Sequence, residues 1–128
     1  MEPNLIARAV IDAAMAVHSE LGPGLLESAY ESCLAYELAS RKIFVQRQVT
    51  VPVRYRNHTL DVGYRIDLLV DAQLIVEIKA VERIAPIHVA QVLTYLKLAK
   101  RPLGLLLNFN MPHLRDGIRR VVNGLSAD

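Results

Sequence analysis

Residues 64–79 constrain the fold more than any other stretch, because two alternating runs flank the short segment Asp71-Ala72-Gln73. Alternating runs joined by three residues predict an antiparallel hairpin in which Val70 faces Leu74. Side chains on a strand point to opposite faces in turn, so this register collects six apolar residues on one face. These are Ile66, Leu68, Val70, Leu74, Val76 and Ile78. We therefore expect that face to belong to the hydrophobic core.

The opposite face of the hairpin is polar and carries two acids. Counting outward from the loop places Asp67 opposite Glu77, with Arg65 and Lys79 on the same face. Their Cβ atoms would be about 4.5–5.5 Å apart, and like charges at that distance destabilise a sheet. A divalent cation, neutralisation by the two basic side chains, or a proton retained on one acid would each relieve the repulsion. A change of one residue in the loop would place the acids on opposite faces.

Hydrophobic periodicity and turn residues predict the remaining elements. Helices are expected over Asn4–Leu21 with Asn4 as N-cap, Leu25–Arg41, Pro86–Lys100 and, at the C-terminus, Leu114–Val122. Strands are expected from Ile43 to Tyr55, with Pro52 indicating an edge or a bulge, and over Val62–Val70, Leu74–Ala80 and Leu103–Phe109. Gly22-Pro23-Gly24 separates the first two helices, since proline cannot continue a helix. The order ααβββαβα predicts an α/β (α+β) fold, with a central mixed sheet flanked by helices.

Length and composition narrow the class of protein. The 128 residues are 52% hydrophobic and 22% charged, which predicts one globular domain over residues 1–128. No apolar run approaches the ~20 residues that span a bilayer, so no membrane partner is expected. The single cysteine, Cys33, excludes an internal disulfide and is expected to be a buried thiol in a reducing cytoplasm. His18 and His88 lack ligand spacing, so zinc is not expected.

Three groups of residues carry a resemblance to a known superfamily. Asp67, followed ten residues later by Glu77-Ile78-Lys79, resembles the D…(D/E)xK core of the PD-(D/E)XK nuclease superfamily. Gln91-Val92-Leu93-Thr94-Tyr95 resembles the QxxxY element on the helix that follows that hairpin. Gly24-Leu25-Leu26-Glu27-Ser28-Ala29-Tyr30 matches the motif that names the GxxExxY protein family within that superfamily. Ile66 stands where the superfamily's name has proline, a position that contributes backbone shape rather than chemistry.

The resemblance implies a restriction-endonuclease-like core and a metal-dependent nuclease. Magnesium takes one or two carboxylates with water and phosphate oxygens, and Mn²⁺ is the expected substitute. The implied metal-binding groups are Asp67, Glu77, Glu27 and the backbone carbonyl of Ile78; the implied catalytic residues are Asp67, Glu77, Lys79 and Glu27; Gln91, Tyr95 and Tyr30 are implied to position substrate or water. Each has a structural alternative: Lys79 could pair with the acids, Glu27 could complement the helix dipole, and Tyr30 could be core.

The implied partner is nucleic acid, DNA in preference to RNA. A net charge of +2 permits a polyanionic partner without requiring one. Basic residues that could contact phosphates fall in three groups: Arg41-Lys42, Arg47, Arg54 and Arg56; Lys97, Lys100 and Arg101; Arg115, Arg119 and Arg120. A homodimer is a second expectation, since two copies could embrace a duplex. The competing hypotheses are a catalytically inactive nucleic-acid-binding module and a protein-interaction module.

Overall fold

The computed structural model describes residues 1–124. It contains three helices, α1 (Pro3–Leu21), α2 (Glu27–Ser40) and α3 (Pro86–Ala99); a 3-10 turn at Leu114–Gly117; and seven strands, β1 (Val45–Thr50), β2 (Val53–Tyr55), β3 (His58–Leu60), β4 (Arg65–Val70), β5 (Leu74–Lys79), β6 (Leu103–Asn108) and β7 (Ile118–Val122). No helix among these residues is both long and apolar enough to cross a bilayer.

Five strands form one mixed sheet in the order β1-β4-β5-β6-β7. Strands β5 and β6 are parallel and are connected through α3, while the other three pairings are antiparallel. All six residues of β6 are buried, as expected for a central strand that is covered on both faces. The predicted class, a central mixed sheet flanked by helices, is therefore confirmed.

Two hydrophobic layers hold helices against the sheet. Helices α1 and α2 pack on one face together with Phe109, and α3 packs on the other. The first layer takes Leu68, Val70, Leu74, Val76 and Ile78, which are five of the six residues expected to share the core face. The sixth, Ile66, packs instead on the α3 side with Leu69 and Ile75. The prediction for Ile66 is wrong, because β4 changes the face it presents between Ile66 and Leu68.

The predicted helix starts and ends need small corrections. Asn4 is not the N-cap of α1: Glu2 occupies that position, and its side chain accepts a hydrogen bond from the backbone N of Asn4 at 2.8 Å. Pro3 then takes the first helical position, where a missing N–H costs nothing. The helix ends at Leu21, and its C-cap Gly22 has a φ of 66°, a conformation that glycine adopts without strain.

Two longer predictions are also wrong. The segment from Leu114 is not a helix to Val122: it forms the 3-10 turn and then β7, which pairs with the free edge of β6. The strand expected from Ile43 to Tyr55 breaks at Pro52, and β2 and β3 form a separate two-stranded sheet. Proline lacks the N–H that would continue the first ladder. Cys33, expected to be buried, is half-buried against the α1–α2 core.

Candidate active site

The hairpin of β4 and β5 opens at the two acids. Its register has Val70 opposite Leu74, as the loop length predicts, and its ladder runs to Leu68 opposite Val76. Beyond that pair, backbone N–H groups of the two strands bond to the carboxylates of the opposite strand and not to its carbonyl groups. Glu77 Oε2 accepts a hydrogen bond from the backbone N of Asp67 at 2.7 Å. Asp67 Oδ2 accepts one from the backbone N of Ile78 at 2.8 Å. The two carboxylates therefore lie side by side, each clamped to the opposite strand.

Burial makes this pair of acids costly to ionise. Desolvation, followed by the charge of Asp67, raises the pKa of Glu77 to about 8, in spite of the lowering effects of the hydrogen bond from the Asp67 N–H and of the Lys79 charge. Desolvation also raises the pKa of Asp67, partly offset by its hydrogen bond from Ile78. Glu77 is only 4% exposed. In the absence of a cation, the pair therefore retains a proton near neutral pH.

Neutralisation by neighbouring basic side chains is not the arrangement found. Within residues 1–124, neither Lys79 nor Arg65 forms an ion pair with Asp67 or Glu77. Arg65 donates instead to Thr50 Oγ1 at 2.9 Å. Lys79 is half-buried at the end of β5, close enough for its charge to lower the pKa of both acids. Of the three ways to relieve the repulsion, a bound cation and a retained proton remain.

The acid pair suits a hard divalent cation, but the four expected metal-binding groups are not all gathered. One oxygen of each acid accepts from a backbone N–H. The other oxygens, Glu77 Oε1 and Asp67 Oδ1, can face a cation, although Asp67 Oδ1 also lies 3.4 Å from the amide nitrogen of Gln48. The described residues contain no group of three or more His, Cys, Asp or Glu side chains arranged to hold a metal. Glu27 Oε2 accepts a hydrogen bond from the backbone N of Ala80 at 3.0 Å. Glu27 thus contacts the backbone just beyond the end of β5.

Tyr30 is a core residue in the structure. It is fully buried, and its ring stacks on Phe109 with centroids 4.5 Å apart. Its hydroxyl donates to the carbonyl of Gly22 at 2.5 Å and accepts from the N of Leu25 at 3.1 Å. The hydroxyl therefore braces the loop between α1 and α2. These contacts support a role for Tyr30 in the core, rather than a role in positioning substrate or water.

Gln91 and Tyr95 line a groove of about 590 Å³ between α3 and the β2 side of the molecule. Tyr64 forms part of the opposite wall, and its ring centroid lies 6.2 Å from that of Tyr95. Burial raises the pKa of Tyr95, and the charges of Glu77 and Asp67 raise it further, so this groove runs close to the acids.

The two histidines considered for zinc are held by backbone groups. His88 Nδ1 accepts a hydrogen bond from the N of Ala85 at 3.0 Å and thereby caps the start of α3. His18 Nε2 lies 2.8 Å from the carbonyl oxygen of Met111.

Sequence reasoning missed a group of polar residues beside the acids. Glu31 is buried in α2 and is bound by Arg47, whose Nη2 lies 2.9 Å from Glu31 Oε2. Gln48 Nε2 donates to Glu31 Oε1 at 2.6 Å and lies 3.4 Å from Asp67 Oδ1. One signal was present in the sequence: Glu31 follows Glu27 by four residues, so both acids share one face of a helix.

Comparison with known families agrees with this geometry. The family model described as the PD-(D/E)XK nuclease superfamily matches residues 4–121. The chain belongs to the PD-(D/E)XK nuclease superfamily. No curated protein and no solved structure gave a significant match.

Proposed function

We propose that this protein is a divalent-metal-dependent nuclease that hydrolyses phosphodiester bonds of DNA. The observation that carries the proposal is the pair formed by the buried Glu77 and the half-buried Asp67, which has no ion-pair partner among the described residues. Folding such a pair is unfavourable unless something binds it. Membership of a nuclease superfamily makes a catalytic metal the best explanation for that cost.

Magnesium fits these donors best, with manganese as a substitute. Both ions prefer oxygen ligands, and Mg²⁺ is commonly held by one or two carboxylates, with water and phosphate oxygens completing its shell. Asp67 Oδ1 and Glu77 Oε1 would hold the ion together with the carbonyl of Ile78, which lies on the side of β5 that faces Asp67. The bound ion would lower the pKa of a water molecule and offset charge on the phosphoryl oxygens.

Lys79 and Glu27 would act at the rim of this site. The Lys79 ammonium lies near both acids without pairing with either, so it is available to a phosphate oxygen or to the attacking water. Its contribution would be largest in the transition state, where charge on the phosphoryl oxygens is greatest. Glu27, held by the N of Ala80, would orient water through its other carboxylate oxygen. With Gly24 and Tyr30 it supports assignment of the chain to the GxxExxY family.

The nucleic acid would approach along the groove of Gln91 and Tyr95. A volume of about 590 Å³ falls in the range of small-ligand sites and suits a nucleotide next to the scissile phosphate. Arg54 and Arg56 are exposed on the neighbouring β2–β3 hairpin and would contact the backbone without reading sequence. Arg47, counted among the basic residues of the sequence, is occupied by Glu31 and is excluded from this set. A homodimer that engages both strands of DNA is part of the proposal.

The test is a cleavage assay across single-stranded, duplex and branched DNA and RNA, with Mg²⁺, Mn²⁺ or EDTA. We expect metal-dependent cleavage of DNA by wild type and loss of cleavage in Asp67→Asn, which should also lose most of the metal-induced rise in melting temperature. Asp12→Asn, an exposed acid on α1, is the matched control and should behave as wild type.

Lys79→Ala separates catalysis from binding. We expect it to lower kcat by about 10²–10³-fold while affinity for DNA changes little, the pattern of a lost transition-state interaction. Arg8→Ala, an exposed basic residue on α1 outside the proposed contact groups, is the control and should behave as wild type. Wild-type protein that binds DNA but cleaves no substrate with any metal would contradict the nuclease proposal and favour an inactive binding module.

A further inference from the structure

Two adjacent residues of β1 bind the same side chain, which a regular strand does not allow. Arg47 donates to Glu31 through Nε at 3.1 Å and Nη2 at 2.9 Å, and Gln48 donates to it through Nε2 at 2.6 Å. Neighbouring strand residues point to opposite faces of a sheet, so only one of them should face α2. The alternation of β1 is therefore interrupted at this point.

The interruption lies at Gln48, whose φ is +51° in the middle of β1. That left-handed conformation is unfavourable for a residue with a side chain, and in a strand it changes the face that the following residues present. Val49 accordingly packs on the α3 side with Ile66, its partner in the register, whereas Val45 packs on the α1–α2 side. Such strain persists only where the surrounding contacts hold it, and it is concentrated at functional sites.

The strained residue touches the proposed metal site directly. The Gln48 amide nitrogen carries two N–H groups, and it lies 2.6 Å from Glu31 Oε1 and 3.4 Å from Asp67 Oδ1. Glu31 is buried and anchored by Arg47, so it is a rigid support for that amide. The other oxygen of Asp67 is held by the N of Ile78. The Asp67 carboxylate is therefore held from both sides, by the backbone of β5 and by the amide of β1.

We propose that Gln48 is a positioning residue: its left-handed backbone turns its amide between Glu31 and Asp67 and thereby sets the orientation in which Asp67 meets the metal. This inference rests on the proposed function. It explains why a non-glycine residue occupies a left-handed position inside a strand, since glycine would relieve the strain but would lose the amide. Partners that orient a metal ligand in this way are typically worth 10–100-fold in affinity or activity.

Gln48→Gly is the decisive variant, because glycine accepts the backbone conformation and removes only the amide. Ala72→Gly is its matched control: Ala72 has a φ of +56° in the exposed loop between β4 and β5, away from the acids. The readouts are the affinity for Mn²⁺ by calorimetry, and kcat and KM for cleavage of the best DNA substrate. We expect Gln48→Gly to weaken Mn²⁺ binding and lower kcat by about 10–100-fold with KM within twofold of wild type. Ala72→Gly should match wild type in all three.

Glu31→Gln tests the same path without altering the conformation of β1. One amide oxygen then replaces two carboxylate oxygens, so Arg47 and Gln48 compete for a single acceptor. We expect Glu31→Gln to lose about as much Mn²⁺ affinity as Gln48→Gly. The variant that carries both changes should lose no more than the weaker-binding of the two single variants, because both changes release the Asp67 carboxylate. This variant decides the question if Gln48→Gly does not fold.

The outcomes separate the two proposals. Suppose that wild type binds Mn²⁺ and cleaves DNA, and that Gln48→Gly and Glu31→Gln equal it within twofold in Mn²⁺ affinity and kcat. This result would overturn the positioning role and leave the nuclease proposal intact. Wild type that neither binds Mn²⁺ nor cleaves any substrate would overturn both.

Discussion

Replacing Glu77 by glutamine should remove a pH-dependent penalty that the metal-free protein carries. The pKa of Glu77 is about 8 in the folded protein, against 4.5 for an ordinary glutamate. The folded state therefore binds more protons than the unfolded state between these values, and stability falls as pH rises through that window. Glu77→Gln keeps an oxygen that can accept from the N of Asp67, and it stays neutral at every pH.

The size of the effect follows from the two pKa values. At about 1.36 kcal/mol for each pH unit, the free energy of unfolding of wild type should fall by up to about 4 kcal/mol between pH 5 and pH 9 from this group alone. For a chain of this length that corresponds to about 15 °C in melting temperature. Glu77→Gln should lose most of this slope, and should be more stable than wild type above pH 7.

The assay is urea unfolding at pH 5, 6, 7, 8 and 9 in EDTA at constant ionic strength. Glu82→Gln is the matched control, because Glu82 is an exposed glutamate in the loop that follows β5. It should keep the wild-type pH dependence. If the curves of wild type and Glu77→Gln run parallel within about 0.5 kcal/mol, Glu77 does not hold a proton in the folded state, and the argument from burial is refuted.

Three further predictions concern the same site and the core around it. Binding of Mg²⁺ to wild type should release a proton near neutral pH, so the apparent affinity for Mg²⁺ should strengthen from pH 6 to pH 8. Calorimetry in buffers of different ionisation enthalpy measures the released proton. If no proton is released, the metal does not bind Glu77. Tyr30→Phe should lower the free energy of unfolding by about 1–2 kcal/mol, because the Gly22 carbonyl and the Leu25 N–H lose a partner. The kcat of this variant should equal that of wild type. A fall in kcat without loss of stability would show that Tyr30 acts in the site. Gly104→Ala should destabilise by about 1–3 kcal/mol in urea unfolding, since its Cβ would lie 2.8 Å from Val92 Cγ1, and an unchanged midpoint would show that α3 can move away.

The local part of the fold was predictable because local rules decide it. The three helices and the β4–β5 hairpin lie within a few residues of their expected bounds, since hydrophobic period, proline and glycine act over short distances. The three-residue loop also set the register that brings Asp67 beside Glu77, because strand pairing in a hairpin is determined by loop length.

Contacts between residues far apart in the sequence determine the C-terminal strand and the contacts of Gln48, which the sequence alone did not predict. The segment Ile118–Val122 carries no period that separates strand from helix, and it is a strand because the edge of β6 offers unpaired backbone groups. Glu31 and Gln48 are 17 residues apart and meet only once α2 packs over β1. The left-handed Gln48 leaves no trace in the sequence, since no glycine marks it. The contacts of the Gln48 amide with Glu31 and Asp67 hold this strained conformation. They form only after α2, β1 and the β4–β5 hairpin have packed together.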